Sequence, residues 1–270
     1  MRRIASGLIV IMSVLLVSCN GKTGNTITVG SDKLDNTQSY FSESMHKAAR
    51  CDSGYYYLDK CGASADNLMF YDDKSEESIV LCNKPQCGHD GEECMAYISG
   101  SEFKSELYYY NSYIYMISSK GNFVRISADG TQRTDLGSIC VLSGQDSVSM
   151  CFNDGYAYVS QEITGDIEGN VTVRLYRFNL DTGLSDKIYE ETGYGIGINS
   201  LKTYGSDTFF LKTSVSKDDK GLYSLEGKGI FRITGEDTEC LLDKNVYSYC
   251  IDADLSLIHI SEPTRLRCIS

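Results

Sequence analysis

Asp154-Gly155-Tyr156-Ala157-Tyr158, followed by Leu175-Tyr176-Arg177-Phe178, is the stretch that decides the fold. A tight Asp-Gly turn leads into an aromatic, alternating run, and a second such run follows after a loop. Aromatic and β-branched runs bounded by turn residues are the signature of strands. The surrounding sequence reads as four strands, near 147–152, 156–161, 171–179 and 185–190, with Asp181-Thr182-Gly183 turning the last pair.

Working outward, the same unit recurs. The turn-strand element returns as Ser53-Gly54-Tyr55-Tyr56-Tyr57, Asn111-Ser112-Tyr113-Ile114-Tyr115 and, more loosely, Ser206-Asp207-Thr208-Phe209-Phe210. The second element returns as Leu68-Met69-Phe70-Tyr71, Phe123-Val124-Arg125-Ile126 and Ile230-Phe231-Arg232-Ile233. Aligned on Phe70, Val124, Tyr176 and Phe231, the spacings are 54, 52 and 55 residues. One such sheet cannot cover both of its faces, so units must stack. A repeated four-stranded antiparallel unit of about 40–50 residues predicts β-propeller blades. The expected fold is therefore all-β, a partial β-propeller over 43–254. It has about four four-stranded antiparallel blades and the start of a fifth, at Ser248-Tyr249-Cys250-Ile251. The chain reads as truncated at its C-terminus.

Both ends differ from this repeat. Arg2 and Arg3 precede an apolar run from Leu8 to Val17, and Leu16-Val17-Ser18-Cys19 follows. A charged start, a short apolar run and small residues describe a signal peptide, and the run is too short to span a bilayer. The last four of these residues resemble the bacterial lipobox. That resemblance implies a lipoprotein signal peptide at 1–18, lipidation of Cys19, and a flexible tether over 19–42. The expected location is the extracellular face of the cytoplasmic membrane, held by the lipid anchor. At the other end, Leu255-Ser256-Leu257-Ile258-His259-Ile260-Ser261-Glu262-Pro263-Thr264-Arg265 resembles a translated sequencing adapter. Segment 255–270 is accordingly expected to be an artefact that stays outside the blades.

The whole chain carries a formal charge of −12. Without the two ends, 21 basic and 36 acidic residues remain, a net charge of −15. Such a surface repels phosphate, which argues against nucleic acid as a partner. Of three histidines, only His46 and His89 lie outside the tail. No phosphate-binding glycine loop, dinucleotide fingerprint, zinc-protease helix or calcium loop occurs. Function thus falls to loops. In antiparallel blades one set of turns is short throughout. The other set varies in length, at 59–66, 82–101, 161–170 and 215–229, and variable loops on a rigid scaffold are where binding residues concentrate.

One loop carries recognisable chemistry: Cys82-x4-Cys87-x-His89-x4-Cys94. Three thiols and an imidazole can close a tetrahedral zinc site. Lys84 nearby is expected to favour the thiolate slightly. Disulfides are the favoured reading over metal, with Cys61 in the adjacent loop as the natural extra partner, because an extracellular setting favours them. A non-catalytic module binding a glycan, peptide or envelope ligand on the long-loop face is the expected function. The alternative is a propeller enzyme of glycoside hydrolase or lyase type. For that, Asp166, Glu168, Asp218 and Asp219 would supply paired carboxylates, which need to stand about 5–10 Å apart.

Taken together, the lipobox, the Gly-Tyr-Tyr-Tyr and Leu-Tyr-Arg strand motifs and the stretch Leu81-Cys82-Asn83-Lys84-Pro85-Gln86-Cys87-Gly88-His89-Asp90 resemble the Tyr-rich β-propeller surface lipoproteins of Gram-positive gut-type bacteria. Their propeller is grouped with that of the low-density-lipoprotein receptor-related proteins. The resemblance covers 43–254 and implies a surface-anchored propeller of unassigned function. The receptor motif Tyr-Trp-Thr-Asp is absent. Tyr56-Tyr57-Leu58-Asp59 is its nearest counterpart, and the chain has no tryptophan.

Overall fold

A computed structural model describes residues 26–28, 38–39, 48–99, 103, 106–143, 146–165, 169–204, 207–235, 237–246, 248–252 and 257–261. All regular structure among them is β. Two short N-terminal strands, β1 (Thr26–Thr28) and β2 (Gln38–Ser39), precede the blades. The first blade contains β3 (Ala48–Cys51), β4 (Gly54–Lys60), β5 (Ala65–Asp72), β6 (Glu77–Val80) and β7 (Tyr97–Ser99). The second holds β8 (Tyr108–Tyr110), β9 (Tyr113–Ile117), β10 (Asn122–Ser127) and β11 (Arg133–Ser138). The third is β12 (Ser147–Asn153), β13 (Tyr156–Thr164), β14 (Asn170–Asn179) and β15 (Ser185–Tyr194). The fourth is β16 (Gly197–Tyr204), β17 (Asp207–Lys217), β18 (Tyr223–Thr234) and β19 (Asp237–Leu242). Within each blade the strands pair antiparallel with their neighbours in sequence, except that β7 of the first blade pairs with β5 rather than with β6. The chain is a partial β-propeller.

Local sequence sets the hairpins. Asn111 and Ser112 have φ of 47° and 63°, and Asp154 and Gly155 have 45° and 78°. Two consecutive left-handed residues make the type I′ turn that matches strand twist in two-residue hairpins, and Asn and Asp-Gly suit it. Tyr110 pairs Tyr113 across the first turn, and Asn153 pairs Tyr156 across the second.

Packing between blades supplies the core. Ala49, Leu68, Leu81, Cys94 and Ile98 of the first blade meet Ile114, Met116 and Ile126 of the second. The second and third blades share Tyr110, Tyr115, Phe123, Phe152 and Phe178. Phe152 lies 5.0 Å from Tyr110 and 4.8 Å from Tyr115, ring centre to ring centre, and Phe123 lies 5.0 Å from Phe178. Leu175, Ile198, Phe210 and Ile233 fill the third seam.

Two expectations require correction. Of segment 255–270, residues 257–261 do not stay outside the sheets. Strand β21 (Leu257–Ser261) pairs antiparallel with β20 (Ser248–Asp252), Ser248 opposite Ser261 and Asp252 opposite Leu257. An alternating β-branched strand satisfies the hydrogen bonds of an otherwise open edge, whatever its origin. Within 19–42, β1 adds to β21 and β2 adds to β8. Finally, 82–101 is not a simple blade-to-blade connection, because β7 returns to the first blade and pairs with β5.

Candidate metal centre

The return of β7 defines the site. Strand β5 is covered along one edge by two strands in line, with Met69 opposite Val80 of β6 and Asn67 opposite Tyr97 of β7. Between them Leu68 takes both halves at once. Its carbonyl accepts the Leu81 N–H at 2.9 Å, and its N–H donates to the Ala96 carbonyl at 2.8 Å. Leu81 and Ala96 therefore share the place of one residue in the outer strand, and both are buried. The intervening segment leaves and re-enters the sheet at that point.

Cys82 lies at the exit and Cys94 just before the re-entry. Inside the excursion, Lys84-Pro85-Gln86-Cys87 forms a turn, with the Cys87 N–H on the Lys84 carbonyl at 3.4 Å. Proline second and a left-handed third residue, Gln86 at φ 58°, is the type II arrangement. A further turn bonds the Cys94 N–H to the Gly91 carbonyl at 2.9 Å. His89 is also left-handed, at φ 57°. These turns fold the excursion back on its own base.

The result is convergence. One ligand atom each from Cys82, Cys87, His89 and Cys94 lies within 4.8 Å of all the others. His89 Nδ1 sits 3.3 Å from Cys94 Sγ. Zinc–sulfur bonds of about 2.3 Å in a tetrahedron place sulfurs about 3.8 Å apart, so small adjustments close the set on one ion. Burial opposes ionisation of Cys82. Yet backbone N–H groups of Lys84 and Met95 bond its sulfur and, with the neighbouring Cys94 and Cys87 thiols, hold its thiol below the ordinary value. Burial pushes Cys94 up to about 12, against a backbone N–H from Ala96, and the adjacent Cys82 and Cys87 add to the rise. Backbone N–H groups aimed at sulfur stabilise the thiolate form, which is the form that binds metal.

The cluster can hold a metal. Cys51, Cys61, Cys82, Cys87, Cys94, Cys140, Cys151 and Cys240 carry free thiols in this structure. Cys61 lies beside the loop, as its position in the neighbouring connection predicts. However, its thiol donates to the His89 carbonyl at 3.4 Å and adds no ligand atom. Lys84 does not serve the thiolates: its ammonium bonds the Glu93 carbonyl and lies 3.9 Å from the Glu93 carboxylate, closing the loop tip. Cys51 makes its own contact to Ser53 Oγ at 3.6 Å, and Cys140 and Cys151 are buried in later seams. Cys19 lies outside the described residues.

Among the described residues, the other candidate groups assemble no comparable cluster. Asp166 and Glu168 lie outside the described residues. Asp218 caps its own turn, accepting N–H groups of Lys220 and Leu222 at 2.9 and 2.8 Å. A cavity of about 530 Å³ lies between the inner strands of the later blades. Its polar groups bond one another: Tyr108 to Glu106 at 3.0 Å, Lys202 to the Tyr249 carbonyl at 2.8 Å, and Tyr249 to the Ser200 carbonyl at 2.6 Å.

No family profile matches the chain, and no curated protein matches it in sequence. Similar solved structures include an oligogalacturonate lyase in complex with manganese, 10% identical with a TM-score of 0.36, covering 78% of this chain and 74% of that one. An oligogalacturonate lyase from Vibrio parahaemolyticus is 10% identical with a TM-score of 0.40, covering 87% and 78%. The tricorn protease is 7% identical with a TM-score of 0.37, covering 79% of this chain and 23% of its own. Likeness at this level carries nothing about activity.

What sequence reasoning missed is the split strand. The signal was present in Tyr97-Ile98-Ser99, a short aromatic and β-branched run directly after the last cysteine.

Proposed function

We propose that this chain is the outward-facing propeller of a membrane-anchored lipoprotein, a non-catalytic binding or scaffolding module whose first blade holds a structural zinc ion. The carrying observation is the convergence of Cys82, Cys87, His89 and Cys94. Three thiolates and one imidazole fill a tetrahedron, leaving no open position for water or substrate, which is the mark of a structural rather than a catalytic zinc site. Soft sulfur ligands favour zinc over manganese, magnesium or calcium. Cys19 supplies the lipid anchor, and the long loops meet a glycan, peptide or envelope ligand.

Native mass spectrometry of the purified chain tests the metal directly. One zinc per chain is expected, lost on chelation, with no change of mass on reduction alone. A gain of two or four mass units on reduction, with no metal, would replace zinc by disulfides. Fatty-acid labelling in a bacterial host tests the anchor: the wild-type chain takes label and Cys19→Ala does not.

A further inference from the structure

The cluster sits where the first blade meets the second, and its surroundings join the two. Asn83, next to the ligand Cys82, donates its N–H to the Gly130 carbonyl in the β10–β11 turn of the second blade at 3.4 Å. That turn presses on the base of the excursion. A Cβ at Gly130 would stand 2.6 Å from the Leu81 carbonyl oxygen and 3.0 Å from the Cys82 nitrogen, and Gly130 has φ of +68°. Only glycine meets both demands without strain. On the far side of the split, Arg133 of β11 donates to the Tyr97 carbonyl of β7 at 2.8 Å. Tyr56 of β4 donates to the Ala128 carbonyl of the same turn at 3.1 Å. Cys94 is buried in the core shared by the two blades, and Cys82, Cys87 and Ala128 pack against it.

The second blade thus grips both halves of the outer strand, which is interrupted opposite Leu68 by residues 82–95. Cys82 belongs to one half and Cys94 to the approach of the other. An ion bound to both fixes their separation, and with it the two anchor points that the second blade uses. Resting on the zinc reading above, we propose that the metal centre is a latch across the seam between the first and second blades. Metal occupancy regulates the order of that seam and leaves the later blades unaffected. Local opening of this kind, in contiguous units below the global stability, is how proteins respond to loss of a single tie.

Hydrogen exchange of the purified chain, zinc-loaded and chelator-treated, tests the latch. Removing zinc is expected to speed exchange at least tenfold in peptides covering 77–99 and also in peptides covering 127–134 of the second blade. Peptides from 147–242 should be unchanged. Arg133→Ala, which touches no ligand, should keep one zinc per chain yet raise exchange at 97–99 even when zinc is bound. Acceleration confined to 82–95 would overturn the latch while leaving the zinc site intact. Acceleration throughout 147–242 would also overturn it, since the metal would then govern the whole fold. A chain that takes up no zinc would instead sink the metal reading on which the latch rests.

Discussion

The seam between the first and second blades and the seam between the second and third solve one problem with different materials. Both join antiparallel sheets face to face. The second–third seam is built from rings, with Phe152 stacked against Tyr110 and close to Tyr115 and Phe123. The first–second seam relies on smaller groups, among them Ala49, Ala96 and Cys94. Its outer strand is also broken opposite Leu68. Large aromatic faces contribute burial and about 0.5–1.5 kcal/mol more per well-placed pair. The broken seam has fewer such pairs, Tyr56 with Tyr109 at 5.7 Å being the cross-blade example, and it carries the ligand cluster instead. The proposed cross-link thus falls in a seam with fewer cross-blade ring pairs than its neighbour.

The comparison can be broken at its strongest point first. Phe152→Ala removes the ring at the centre of the aromatic seam and is expected to cost about 3–5 kcal/mol. Urea unfolding should show this as a lower midpoint, with one zinc still bound per chain. A loss below about 1 kcal/mol would show that stacking does not hold that seam. Next, Gly130→Ala should cost about 1–2 kcal/mol, from a strained left-handed residue and a Cβ against the Leu81 carbonyl. Calorimetry should show the same loss in the zinc-loaded and the chelated chain only if the turn docks independently of metal. A smaller loss after chelation is what the latch requires.

The smallest effect concerns the same turn. Ser127 and Thr131 side chains, with the Thr131 N–H, bond the Asp129 carboxylate and bring its pKa to about 2 from 3.8. The folded value is depressed. The contribution is therefore present above pH ~4 and is lost as pH falls through that value towards 2. Ser127→Ala should move the carboxyl titration of Asp129, followed by NMR, back towards 3.8, whether or not zinc is bound. A titration that moves with zinc would mean that the turn is ordered by the metal rather than by its own hydroxyls.

Much of the fold was legible because its hairpins are encoded locally. Asp154-Gly155 and Asn111-Ser112 dictate their turns, and the strands beside them alternate over enough residues to read. The outer strands were harder. β6 is four residues long and mostly exposed, so its sequence carries no burial pattern that could reveal a break and resumption. The ligand set was legible because its members lie within thirteen residues and the chemistry of thiol and imidazole is specific. The role of Gly130 was not, since it acts on residues 81–82 from across a seam. The pairing of Leu257–Ser261 escaped notice because strand addition depends on the open edge it meets rather than on the added sequence alone.

Leu68 has a further consequence. Its two hydrogen bonds, one to Leu81 and one to Ala96, treat those residues as a single strand position. Excising residues 82–96 would join Leu81 to Tyr97 and keep Val80 opposite Met69 and Tyr97 opposite Asn67. No side chain of the blade would change faces, because the two-residue period is preserved. The segment carrying the candidate ligands is thus a parenthesis in the blade. It could be gained or lost in one genetic event without disturbing the strands around it, which makes this position a natural port for grafting other segments.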